Sequence, residues 1–133
     1  MADRMRWRFG RSKERYRLIA AETVIEIGDM VYDSADGVRP ASDAPSLETF
    51  VAGFLGVAMQ RSLAGQANTI RIESGAAFEF DCDDEELHPN GLVSPAVIDG
   101  RLQNQRVARA ESRYVSIGRT LMRTPSGSAV VNV

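Results

Sequence analysis

Apolar residues in this chain recur mainly at every second position, in short runs broken by Gly, Pro and Asp, which is the signature of half-buried strands. TIRIES (Thr69 to Ser74) alternates strictly. AAFEFDC (Ala76 to Cys82) sets Phe78 and Phe80 on one face and Glu79 and Asp81 on the other, so both rings are expected to point into a core. In VIEIGDMVY (Val24 to Tyr32) two β-rich runs flank Gly28-Asp29, which predicts a two-residue hairpin because glycine accepts positive φ. ADGVRPAS (Ala35 to Ser42) gives an Asp-Gly turn and a short strand that Pro40, lacking a donor, confines to a sheet edge.

One stretch has the helical period instead. Leu47, Phe50, Val51, Phe54 and Leu55 make a stripe with Ser46 as N-cap. Gly53 and Gly56 each cost a helix about 1 kcal/mol, so a short helix over 46–52 and a strand over 54–60 are predicted. After an acidic loop come GLVSPAVI, QRVARAES, YVSIGRTLMR and, past Pro125-Ser126-Gly127, a final strand SAVVNV. About seven to nine short strands spaced by turns predict a mainly β chain, a single small β-barrel or β-sandwich domain with one short helix. No internal repeat or second domain is visible, and 133 residues with 44% apolar content suffice for one real core.

The first twenty residues break the pattern. RMRWRFGRSKERYR (Arg4 to Arg17) shows neither a sustained strand nor a helical apolar stripe. It reads as an extended basic N-terminal arm over 1–20, with the β-rich domain over 21–133. The net charge of −2 conceals this division: residues 1–20 carry seven cations and two acids (+5), leaving nine cations and sixteen acids (−7) elsewhere. An acidic body argues against nucleic acid as its partner, because phosphate neutralisation needs a basic face. The arm has Trp7, Phe9 and Tyr16 among Arg4, Arg6, Arg8, Arg11, Lys13, Arg15 and Arg17. Arginine interleaved with aromatics stacks on bases, and equally dominates protein–protein hot spots. A nucleic-acid-binding small β-barrel using this arm is therefore the alternative reading.

Candidate chemistry is sparse. His88 is the sole histidine and Cys82 the sole cysteine, so a thiol–imidazole pair six residues apart is conceivable, but no orienting group or oxyanion site is apparent. Six carboxylates crowd Glu79 to Glu86, without the spacing of an EF-hand loop. Lys13 is the only lysine and lies in the arm, which excludes a lipoyl or biotinyl carrier; no phosphate-cradling loop is present. The expectation is therefore no catalytic residues, no metal and no cofactor. A single cysteine favours a reducing compartment. The longest apolar run, Phe50 to Met59, is about half of the ~20 residues that span a bilayer, and no signal peptide is read at the N-terminus.

Taken together, VIEIGDMVY, FLGVAMQRSLAG followed by TIRIESGAAFEFDC, and LQNQRVA with YVSIGRTLM resemble the phage capsid cement, or head decoration, family. The resemblance spans about residues 22–133 and rests on Gly28 and Asp29, on Gly56, Val57 and Ala58, on Gly75 and Phe78 to Cys82, on Asn104, Gln105 and Val107, and on Ile117, Gly118 and Arg119. The Asn90-Gly91 loop departs from the family pattern, as does the basicity of residues 11–20. The resemblance implies a β-tulip-like domain that binds the exterior of a mature capsid, with the major capsid protein as partner and a homotrimer as the assembled form. It implies a protein made in the host cytoplasm and located on the virion, with no membrane contact. Arg4, Arg6, Trp7, Arg8, Phe9, Arg11, Arg15, Tyr16 and Arg17 are then the expected capsid-binding arm.

Overall fold

A computed structural model describes residues 7–10, 12–63, 69–82, 87–124 and 127–133. It is mainly β, with two packed sheets and one short helix. In chain order the strands are β1 (Trp7–Phe9), β2 (Lys13–Leu18), β3 (Met30–Ser34), β4 (Gly37–Pro40), β5 (Phe54–Ala58), β6 (Thr69–Ser74), β7 (Ala77–Asp81), β8 (Leu92–Ile98), β9 (Arg101–Arg109), β10 (Gly118–Thr124) and β11 (Ser128–Asn132). Helix α1 spans Leu47–Ala52, between β4 and β5.

The larger sheet runs β1-β7-β11-β10-β8-β9, and a parallel contact between Asp81 and Arg106 brings β9 back to β7, so five of its strands close on themselves. The smaller sheet runs β2-β6-β5-β3-β4. It curls until Ile19, just past β2, bridges Val38 in β4, with the Ala20 N–H donating to the Val38 carbonyl at 3.1 Å. Alternation along β3 divides its residues between two cores. Met30 and Tyr32 join Val57, Phe78, Phe80, Val93, Val107 and Val131 in the cluster that unites the sheets. Val31, on the opposite face, joins Ile19, Ile25, Val38, Leu55, Ala58, Ile70 and Ile72 inside the curl of the smaller sheet. Each fully buried side chain of this size contributes about 1.5–3 kcal/mol.

Local chemistry accounts for the elements. The Ser46 hydroxyl caps α1 by accepting from the Thr49 N–H at 3.2 Å, and the helix ends at Gly53 as its glycines imply. Its one buried residue, Phe50, meets Tyr32 edge-on at 5.6 Å and Phe54 at 5.5 Å between ring centroids. Gly56 is required in β5: its φ is +143°, and a Cβ there would lie 2.3 Å from the Glu73 carbonyl oxygen. Pro95 is tolerated within β8 because β10 pairs with β8 at Leu92 and Val93, short of the proline.

Three expectations are corrected. The described residues form eleven strands rather than seven to nine. Gly28 does turn the chain, at φ +95°, but its flanking runs do not form a hairpin: Ile25 bridges Ser62 and Met30 pairs with Val57. A turn residue fixes a reversal; tertiary partners decide what the emerging strands bond to. Last, the basic N-terminal segment contains two strands, and they lie at the edges of both sheets, β1 against β7 and β2 against β6. Ile19 and Ala20, at 5% and 2% exposure, are core.

Candidate functional site

The N-terminal segment contributes an outer strand to each sheet. β2 pairs with β6 over its whole length, Lys13 opposite Ser74 through Leu18 opposite Thr69, and is the terminal strand of its sheet. Arg15 is half-buried and the other five residues are exposed, so β2 faces solvent on both sides. Cross-strand pairing sorts its side chains. Lys13, Arg15 and Arg17 lie on the face of Ser74, Ile72 and Ile70, while Glu14, Tyr16 and Leu18 lie with Glu73, Arg71 and Thr69.

The second face carries a polar network. The Tyr16 hydroxyl donates to Glu14 Oε1 at 2.7 Å, Arg71 lies 3.2 Å from Glu73 and 4.0 Å from Glu14, and the Ser12 hydroxyl donates to Glu73. The hydrogen bond to Glu14 is the main reason the Tyr16 phenol is held above its usual range. Tyr16 and Leu18 nevertheless remain 55% and 66% exposed. On the first face the arginines have no carboxylate opposite them, and among the described residues Lys13, Arg15 and Arg17 make no ion pair.

Arg15, Tyr16 and Arg17 of the expected arm are thus brought together on one strand. Trp7, Arg8 and Phe9 form β1, with Trp7 in register with Phe78 and Phe9 with Ala77. Arg4, Arg6 and Arg11 lie outside the described residues, as do Asp83 to Glu86 of the acidic run. No grouping of three or more His, Cys, Asp or Glu suited to a metal occurs among the described residues. No helix among them is long and apolar enough to cross a membrane.

Two sequence motifs meet at a point that the strand pattern did not reveal. The buried Asp29 carboxylate accepts from Gln105 Nε2 at 2.9 Å through Oδ1 and from the Glu26 N–H at 3.0 Å through Oδ2. Gln105 Nε2 also donates to the Ile27 carbonyl at 3.1 Å. The Gly28-Asp29 turn at the head of β3 is thereby tied to β9 of the other sheet. The neighbouring Asn104 accepts from the Ser42 N–H at 2.7 Å, pinning the segment after β4 to the same strand. The sequence signal available was the co-occurrence of Gly-Asp and Asn-Gln, without any spacing that joins them.

His88 is exposed and lines a cleft of about 390 Å³ with Leu87, Gly91, Leu92, Arg109, Ala110, Glu111 and Ser112. Cys82 is buried, and no hydrogen bond joins it to His88. The Asn90-Gly91 loop beside the cleft is held from outside: Asn90, at φ +66°, donates its N–H to the Thr120 carbonyl, and its own carbonyl accepts from Arg119 Nη1 at 3.0 Å. No protein-family model and no curated protein matches the chain.

Proposed function

We propose that this protein is a structural virion component that binds the exterior of a mature phage capsid and cements neighbouring major capsid subunits against internal DNA pressure. The carrying observation is that the basic N-terminal segment supplies an outer strand to each sheet, with Lys13 and Arg17 of β2 exposed on an otherwise acidic domain. The ordered motifs of the sequence support the same reading, and two of them, Gly28-Asp29 and Asn104-Gln105, converge on one buried tie.

A cement acts by binding energy alone. Subunits bridged by one molecule must break its contacts before they separate, and a trimer engages through three copies whose contacts add by effective concentration. An edge strand extends a partner's sheet through backbone hydrogen bonds, and aromatic residues such as Trp7 anchor it by filling pockets. A domain tied between its two sheets transmits the load without deforming.

Co-sedimentation with expanded, undecorated capsids tests the proposal. Saturable binding to expanded capsids, with a raised temperature of capsid disruption, is expected. Failure to sediment with them, at low and at physiological salt alike, refutes it. Exposed Tyr16 on the same strand as Arg15 and Arg17, though on its opposite face, is the observation that favours the rival, a nucleic-acid-binding barrel. A gel shift at ~0.1 M salt that collapses as salt rises would establish that rival instead.

A further inference from the structure

An edge strand exposes a row of unused backbone donors and acceptors, and natural proteins guard such edges with charge. β2 is guarded by cations on one face only. Lys13, Arg15 and Arg17 recur at every second position, about 7 Å apart along the strand, opposite Ser74, Ile72 and Ile70. Glu14, the strand's one carboxylate, lies on the other face, bonded to Tyr16. β4 reaches this edge at the end of β2, where Gly37 lies against the Leu18 carbonyl and Val38 bridges Ile19, so among the described residues no strand pairs with the backbone from Lys13 to Arg17 on the side away from β6.

This arrangement selects its occupant. If a second copy paired β2 with β2 about a two-fold axis, residues of the same parity would lie opposite one another, Arg15 against Arg15 and Lys13 against Arg17. Like charges directly opposite are destabilising, so self-pairing is disfavoured. A strand with carboxylates at alternate positions reverses every one of those pairs. We propose that the β2 edge, Lys13 to Arg17, is a docking site for an extended acidic segment of a partner protein, which adds as a new strand with Asp or Glu at every second position facing Lys13, Arg15 and Arg17. This inference rests on the capsid reading for its partner: the segment belongs to a capsid subunit. Its chemistry can be tested without capsids.

The probe is a fluorescein-labelled nine-residue peptide in which Glu alternates with Val, read by anisotropy against the full-length protein. Binding at least about tenfold tighter than that of the same peptide with Gln for Glu is expected, and the advantage should shrink as salt screens the pairs. N-methylation of alternate amides on the bonding edge should abolish binding with all charges kept. The double variant Arg15→Glu, Arg17→Glu should reverse the preference towards a Lys-Val peptide. Equal binding of the Glu and Gln peptides, binding that neither set of alternate N-methylations diminishes, or tighter binding of a single-stranded oligonucleotide of equal length would each overturn the proposal. The N-methyl comparison uses unaltered protein, so it decides the matter even if the double variant misfolds. Capsid co-sedimentation is run in parallel: capsid binding without peptide binding overturns the β2 site and leaves the cement reading standing, whereas peptide binding without capsid binding upholds the site and removes the capsid as partner.

Discussion

Replacing Gln105 by leucine keeps most of the side-chain volume on β9 and removes both donors from the tie between the sheets. One lost bond, 2.9 Å to the Asp29 carboxylate, is charge-assisted and is worth about 1.5–3 kcal/mol. The other, 3.1 Å to the Ile27 carbonyl, is neutral and is worth about 0.5–1.5 kcal/mol. Asp29 is 3% exposed and retains the Glu26 N–H, so the variant leaves a buried anion short of one donor. Gln105→Leu is therefore expected to cost about 2–4 kcal/mol, a large share of the 5–15 kcal/mol typical of a domain. Asp29→Asn keeps the shape but presents an amide N–H₂ to one of the two N–H groups, for an expected cost of about 1–3 kcal/mol.

Urea denaturation followed by circular dichroism measures these losses, and an unchanged m-value shows that the unfolded state is not what moved. A double-mutant cycle isolates the contact. If the carboxylate and the amide act through each other, the double variant falls short of additivity by at least about 1 kcal/mol. Strict additivity, or a loss below about 0.5 kcal/mol in Gln105→Leu, would refute the reasoning and leave the packing of Met30, Val57 and their neighbours as what holds the sheets together.

Phe78→Ala and Phe80→Ala, both fully buried, should each cost about 3–5 kcal/mol in the same assay, and losses below about 1 kcal/mol would contradict their placement in the core. Deleting residues 1–20 removes β1, β2 and Ile19 and uncovers the cluster of Ile70 and Ile72, so the truncated chain should be destabilised by at least about 3 kcal/mol; wild-type stability would show that these strands do not support the fold. His88→Ala, at an exposed position, should leave both stability and capsid sedimentation unchanged, whereas Cys82→Ser should lose about 1–3 kcal/mol by burying a hydroxyl and bind capsids normally; loss of binding by either folded variant would count against a mechanical role. In an ultraviolet pH titration, Tyr16 should ionise late because Glu14 holds its proton and Tyr32 late because it is buried, and Glu14→Gln should lower the Tyr16 midpoint alone; movement of both, or of neither, would contradict the hydrogen bond.

Strands buried on one face were legible because burial writes a period of two into the sequence. β6, β7, α1 and the edge position of β4 with Pro40 all follow from that period and from their punctuating residues. β2 was illegible for the corresponding reason. A strand exposed on both faces needs no apolar alternation, and KERYRL is held by backbone pairing to β6 and by Ile19 immediately after it. The turn at Gly28 was legible and its partners were not, since Ile25 is completed by Ser62 and Asp29 by Gln105, both far along the chain. Charge in the N-terminal segment marked a surface from composition alone, but composition could not show that the surface is an edge. The position alters what the cations do. On a free tail, Arg15 and Arg17 would attract any anion with little selectivity, because a flexible chain imposes no spacing. On a strand paired along its whole length they stand at a fixed interval on one face at the edge of the sheet, and the proposed site therefore selects partners by register as well as by charge.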